Sequence, residues 1–420
     1  MTVTITTLPS GLRVLTDRMD TVQTVTLGAW VDAGARHEPA PLNGISHLLE
    51  HMAFKGTARR SARAIAEEIE DVGGILNAWT SRENTAYYAK VLKDDVALAT
   101  DIIADILQHS VFDPEELKRE QSVIVQEINQ AEDTPDDIVF DHFQATAYPD
   151  QAMGRAVLGT PETVRSIDRE TLKRYMNSTY STHSTVIAAA GHIDHDSFVH
   201  LVEKTFTSLP VFPSVTPEKA LYKGGESRQD KNLEQVHLVL GFDGVAYDHP
   251  HFYATAVLST LLGGGMSSRL FQEIREKRGL VYSIYSYTNS TTDGGLFSIY
   301  AGTGNDEAAE LVPVLCTELR KIVDTIVQND ELMRARAQIK AGLLMGLESS
   351  SNRAETAARQ LFTHGRIVDT DELVAMVEAV DATAVRDAAS LIFASEPTLA
   401  VLGPSRNVPD LDAIKGMIAV

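Results

Sequence analysis

Cysteine is nearly absent. The 420-residue chain has one, Cys316, which excludes an internal disulfide, and its place in a helical pattern makes it a small core residue. Long apolar runs are also missing: none approaches the roughly 18 residues of a membrane span, so no membrane partner is expected. Basic residues are in deficit, with 37 Lys and Arg against 58 Asp and Glu, for a formal net charge of −21. A field of that sign repels nucleic-acid phosphates and attracts cationic ligands; it equally serves as a solubility surface. The opening "MTVTITTLPSGLRVLTDRM" lacks the basic stretch and apolar core of a secretion signal. Nor is it an Arg- and Ser-rich amphipathic presequence. It alternates as a strand, turns at Pro9-Ser10-Gly11 and resumes as a second strand. A cytoplasmic address is the expectation.

What is present begins with repetition. A chain of this length exceeds one ordinary core, so two domains are expected. The stretch "FTSLPVFPSVTPEKALYKGGESRQDKN" (206–232), with three prolines and paired glycines, reads as a connection between them. The expected boundaries are 1–212, a linker 213–232, and 233–420. The two sides echo each other. "AEEIEDVGGILNAWTSRENTAYYAKV" and "FQEIREKRGLVYSIYSYTNSTTDGGLF" both run from a helix with a Glu-Ile pair into alternating strands, Glu68 and Glu273 standing 205 residues apart. "VRSIDRETLKRYMNSTYSTHSTVIAAAG" and "VEAVDATAVRDAASLIFASEPTLAVLG" both place an Asp at a helix start before a buried strand ending in Gly, Asp168 and Asp381 standing 213 apart. The fold class expected is α+β: two homologous α/β-sandwich domains from an internal duplication, with antiparallel-rich sheets covered by helices.

Only the first copy carries "HLLEHMAFKGT" (47–57). On a helix His47 and His51 lie about 40° apart in projection, with Glu50 about 60° to the other side of His47. Two imidazoles and a carboxylate then look into one small volume. That set suits a divalent zinc ion, with Glu50 placed to act on a polarised water. Capped surface histidines beside a carboxylate are the plainer alternative, and a catalytic zinc still needs a third protein ligand. Downstream, Asp113 and Pro114 mark a helix start. That helix, running to about residue 130, has Leu117, Ile124 and Ile128 as its core stripe, with Glu120 and Glu127 two turns apart beside it. Both also read as ordinary exposed glutamates.

"HLLEHMAFKGT", followed 76 residues after its second His by the Glu of "VIVQEI", resembles the pitrilysin family of inverted-motif zinc peptidases, and in particular its processing-peptidase branch and bacterial homologues. "GGILNAWTSRENTAYYAKV", "LGTPETVRSID" and "SSRLFQEIREKRGLVYS" resemble further family blocks, so the likeness spans nearly the whole chain. It implies His47, His51 and Glu127 as ligands of one zinc per chain, Glu50 as general base, and Glu120 as the carboxylate supporting the site. It implies that "LNAWTS" is a sheet edge taking up substrate backbone, with Asn77 and Ala78 among the contacts, and that Phe54 walls an apolar pocket. Plain strand packing and simple core are the alternatives there. It implies that Arg275 and Tyr282 hold substrate and stabilise the tetrahedral intermediate, where spacing alone reads a surface Arg and a strand Tyr. Members of that branch place acidic residues at the positions of Asp137 and Asp141 to receive a substrate arginine; the first is Glu there and Asp here, and both also read as a solvated helix face. "LLGGGMSSRL" lacks the Lys-Ser/Thr of a phosphate loop and reads as a helix-to-helix turn.

The function implied is a zinc-dependent metalloendopeptidase, a hydrolase of short or unfolded, basic peptides. Chains of this size in the family pair, and because the zinc motif and the Arg/Tyr pair share one chain, a homodimer is expected ahead of a heterodimer. A noncatalytic structural or peptide-holding subunit of the same fold is the alternative function, and a metal-binding chaperone the third.

Overall fold

The computed structural model describes residues 3–418. Its strands form two sheets. The first contains β1 (Val3–Thr7), β2 (Arg13–Arg18), β3 (Thr24–Val31), β4 (Ile75–Thr80), β5 (Thr85–Leu92) and β6 (Thr185–Gly191), in the order β1-β2-β6-β3-β5-β4. The second contains β7 (Gly225–Asp230), β8 (Val236–Asp243), β9 (Val281–Ser290), β10 (Gly295–Thr303) and β11 (Thr398–Gly403), in the order β7-β11-β8-β10-β9. The hairpin at Pro9-Ser10-Gly11 forms as expected, with Gly11 at φ 87° and Val3 opposite Asp17.

Strip β1 away and the two sheets are the same object. Each has one parallel pair, β2–β6 and β7–β11, and each otherwise pairs antiparallel in matching chain order. The helices capped by Asp168 and Asp381 precede the corresponding strands β6 and β11 in both copies. Those strands end in Gly191 and Gly403, at φ 134° and 123°. A Cβ there would sit 2.2 Å from the Thr24 carbonyl oxygen and 2.4 Å from that of Gln235. The duplication is therefore visible down to the residue that lets neighbouring strands approach.

Strand alternation gives each sheet two apolar faces. In the first, Val25, Leu27, Ala29 and Val31 join one core, together with Leu48 and Ile102 from covering helices. Leu15, Trp30, Val186 and Ala188 on the opposite face meet Ala354, Ala357 and Ala358 of the helix Ser350–His364. In the second, Leu238, Leu240, Ile299 and Val401 face one core, while Val239, Leu296, Ala400 and Leu402 meet Val139 and Phe143 of the helix Pro135–Ala147.

The compact units are consequently not the contiguous stretches 1–212 and 233–420. One comprises Met1–Asn129, Arg155–Glu218 and Met345–Asp369; the other Gln130–Gly154, Lys219–Leu344 and Thr370–Val420. The physical reason is that a sheet buried on both faces needs two covering layers. Each unit takes a helix for its second face from the other half of the sequence. The expected linker 213–232 has no regular structure up to residue 224 and then becomes β7. Cys316 is buried in the second core, as expected. Among the described residues no helix is long and apolar enough to cross a membrane.

Gly191→Ala and Gly403→Ala should each lower stability by at least about 1 kcal/mol, because a left-handed backbone and a close carbonyl both oppose a Cβ. Calorimetric melts indistinguishable from wild type would contradict this.

Candidate metal centre and peptide edge

The motif lies on the helix Ile45–Ala53. Ile45, Leu48, Leu49 and Met52 recur at i, i+3, i+4 and i+7 and are fully buried in the first core. That stripe leaves His47, Glu50 and His51 half-buried on the other side of the helix. The second contributor is the helix Pro114–Glu132. Asp113 Oδ1 accepts from the N–H groups of Glu115 and Glu116 at 2.9 and 3.1 Å, the start expected for it. Leu117, Ile124 and Ile128 are buried, so Glu120 and Glu127 are carried on the flank of that stripe.

These elements bring His47, His51 and Glu127 together, with one donor atom from each inside a 4.8 Å span. Glu127 Oε2 lies 3.8 Å from His47 Nε2 and 3.7 Å from His51 Nε2. The His51 Nδ1 is turned the other way, 3.0 Å from Glu120 Oε2, and the second Glu120 oxygen meets Lys55 Nζ at 2.7 Å. Burial, reinforced by His51 alongside, pulls the His47 imidazole down to about 4, so its lone pair is free at neutral pH. A tetrahedral zinc with bonds of about 2.0–2.2 Å places its ligand atoms roughly 3.4 Å apart. Two imidazole nitrogens, each 3.7–3.8 Å from the same carboxylate oxygen, fit that ion with only a small contraction.

Glu50 stands beside the cluster. Burial raises its carboxyl above the ordinary range and Glu127 adds to this, while the Thr80 hydroxyl and His51 pull it back. Thr80 Oγ1 donates to Glu50 Oε2 at 2.6 Å. Thr80 ends β4, which has β5 as its single strand neighbour and so forms the sheet edge. Leu76 and Ala78 pack against the first core, and Asn77 is exposed. The Asn77 Oδ1 accepts from the Ala78 N–H at 2.9 Å, occupying a main-chain donor of that edge. Phe54 is partly buried and packs against the core, its ring 6.2 Å from that of Tyr87.

The remaining candidates belong to the second unit. Arg275 sits on a π-helical turn (Phe271–Glu276) and Tyr282 on β9. The guanidinium lies 4.8 Å from the Phe271 ring centroid and 5.6 Å from that of Tyr282, and Tyr282 is 76% exposed. The pair is thus assembled, with its aromatic partner presented to solvent. Asp137 and Asp141 stand one turn apart on the helix Pro135–Ala147, the first exposed and the second half-buried. "LLGGGMSSRL" connects the helix Phe252–Gly263 to the π-helical turn.

Sequence reasoning missed Thr80 and Lys55. Lys55 lies four residues after His51, a spacing that puts it near the same helix face. Thr80 shares the inward face of β4 with Leu76 and Ala78, a period-2 signal that identifies the face and not the partner.

A family model described as "Insulinase (Peptidase family M16)" matches residues 13–161, and one described as "Peptidase M16 inactive domain" matches residues 166–339. An uncharacterized zinc protease of Bacillus subtilis is 40% identical over 404 residues, covering 96% of this chain and 98% of its own. A probable mitochondrial-processing peptidase subunit beta of Arabidopsis thaliana is 39% identical over 427 residues, covering 98% and 80%. The fold matches a peptidase M16 inactive domain structure from Pseudomonas fluorescens at a TM-score of 0.89 and 19% identity, over 98% of this chain and 100% of that one. It also matches a chain of complex III2 from Candida albicans at 0.88 and 21%, over 99% and 100%. This chain belongs to peptidase family M16.

Proposed function

We propose that this chain is a zinc-dependent endopeptidase, a hydrolase of short or unfolded, basic peptides. The observation that carries the reading is the convergence of His47 Nε2, His51 Nε2 and Glu127 Oε2, with Glu50 adjoining them on the same helix as both imidazoles. Zinc is the cofactor, one per chain, with these three residues as ligands. A zinc ion there supplies Lewis acidity to a water and to the peptide carbonyl. Glu50 accepts the water's proton and returns it to the leaving amine; its raised carboxyl and the Thr80 hydroxyl suit it to both steps. Glu120, braced by Lys55, holds His51 in the tautomer whose Nε2 faces Glu127.

Substrate enters as an added strand on β4, which satisfies main-chain groups whatever the side chains. Asn77 releases the Ala78 N–H as it does so, and Phe54 contributes apolar wall. Extended capture favours unfolded or short peptides. The preference for basic ones is supported by the net charge of −21 and by Asp137 and Asp141 as acceptors of a substrate arginine. Arg275 and Tyr282 grip the peptide and stabilise the developing oxyanion. Because both halves of this machinery occur in one chain, we extend the reading to a homodimer in which each metal centre is completed by the Arg275 and Tyr282 of a second copy. A cytoplasmic setting belongs to the same proposal. A noncatalytic subunit is the second reading, favoured by the family model described as inactive, which covers residues 166–339; the intact His47–Glu127 set in the other half weighs against it.

Glu50→Gln should keep one zinc per chain and lose cleavage by roughly 10²-fold or more; normal turnover would defeat the assignment. Glu127→Ala should lose the metal, and one zinc per chain in that variant would count against it as a ligand. Arg275→Ala mixed with Glu50→Gln should recover activity through hybrid dimers; no recovery after demonstrated subunit exchange would rule out shared sites. Presequence-like peptides should be cleaved more slowly once their arginines become alanines, and Asp141→Asn should blunt the difference. The steering part should weaken with salt, since screening acts over about 10 Å at 0.1 M. Equal cleavage of both peptides at every salt concentration would remove the basic preference and leave the zinc site untouched.

A further inference from the structure

We infer that Glu38 is the positioning residue of the metal centre: its buried carboxylate supplies, from six residues upstream, the cap that the motif helix cannot supply for itself. The inference rests on the zinc-peptidase reading above. A helix leaves its first N–H groups without partners, and a Ser, Thr, Asp or Asn at the cap position normally accepts from one of them. Other helices of this chain follow that rule, through Ser61, Asp113, Thr160, Asp168, Asp194, Ser349, Asp381 and Asp410. The helix that carries His47, Glu50 and His51 does not. Its cap position is Gly44, at φ 94°, with no side chain to offer. No capping residue fits there, because a Cβ would sit 2.8 Å from the Leu158 carbonyl oxygen in a left-handed backbone.

Glu38 fills the gap. Its Oε2 accepts from the Gly44 N–H at 2.8 Å and from Asn43 Nδ2 at 3.0 Å, and its Oε1 accepts from the Ser46 N–H at 2.8 Å. The carboxylate is 3% exposed, and Asn43 and Ser46 are buried with it. Ser46 is locked from the other side by the Tyr175 hydroxyl at 2.8 Å. The main chain of Glu38 is itself held, its carbonyl accepting from Arg155 Nη2 at 2.5 Å. A negative charge at a helix N-terminus is also favoured by the helix dipole. The residue after Ser46 is His47, so the clamp ends one peptide before the first zinc ligand. Release of the clamp frees the turn that aims the His47 Nε2 at Glu127, while β4 and its peptide-binding edge stay as they are.

The test compares Glu38→Ala, Glu38→Gln and, as a control for lost capping alone, Asp194→Ala, which strips the cap of the helix His195–Thr205. Zinc affinity is read by chelator competition, the centre's geometry by the visible absorption of the cobalt-substituted protein, and kcat and KM by peptide cleavage. Glu38→Ala should bind zinc about 10- to 100-fold more weakly, shift the cobalt spectrum, and lower kcat at saturating zinc with KM unchanged. Glu38→Gln keeps the length and one acceptor and should recover part of each loss. Asp194→Ala should lower the melting temperature and leave zinc affinity, spectrum and kcat at wild-type values. The inference is overturned if Glu38→Ala retains the wild-type cobalt spectrum and kcat, or if Asp194→Ala loses as much zinc affinity. A wild-type protein that neither binds zinc nor cleaves peptide would instead overturn the zinc-peptidase reading itself.

Discussion

The packing of one nine-residue helix is the constraint on which the site depends. Ile45, Leu48, Leu49 and Met52 are fully buried, and at roughly 1.5–3 kcal/mol per fully buried large apolar side chain their burial outweighs any preference of the polar residues between them. With that stripe committed to the core, helical geometry leaves His47, Glu50 and His51 no other direction than away from it. The helix Pro114–Glu132 obeys the same logic, and its stripe through Leu117, Ile124 and Ile128 presents Glu120 and Glu127. Two apolar stripes thus assemble three donor atoms within 4.8 Å, without strain at any of the donor residues.

The second copy shows what the same slot looks like without that demand. The helix after β8, Phe252–Gly263, occupies the place in chain order that the motif helix holds after β3, and it buries Ala254, Thr255, Val257, Leu258, Ser259, Leu261, Leu262 and Gly263. A helix buried on nearly every side has no room for a half-exposed face of imidazole and carboxylate. Its last residue, Gly263, lies where a Cβ would come 2.3 Å from the Ser286 backbone nitrogen on β9. One copy therefore kept a polar face on its helix and the other closed against its sheet. Arg275 and Tyr282 stand at that second unit's π-helical turn and edge strand, a different part of the repeat.

Much of this is legible in the chain itself. The four-residue spacing of His47 and His51, the seven-residue spacing of Glu120 and Glu127, and the two Asp-capped helices before glycine-ended strands are local periodicities, and local geometry carries them into the structure. The hairpin at Gly11 is equally local. The exchanged helices are not: nothing in "SSNRAETAARQLFTH" says that its alanines meet Val186 and Ala188 rather than a strand of its own half, because small residues favour close approach without choosing a partner. Thr80, Lys55 and Glu38 escape for the same reason. Each acts through hydrogen bonds or an ion pair made across a long sequence separation or around a turn, and periodicity reports a face, never the atom opposite. Glu38 was further concealed because its helix has glycine where a capping residue is sought.

The central claim is that His47, His51 and Glu127 share one zinc ion. Anomalous diffraction above and below the zinc edge, on crystals of the zinc-loaded protein, tests it most directly. The account predicts a single strong peak per chain within about 2.0–2.2 Å of His47 Nε2, His51 Nε2 and a Glu127 carboxylate oxygen, with Glu120 bound to His51 and outside bonding distance. A zinc peak elsewhere, or one at these histidines that excludes Glu127, would contradict it.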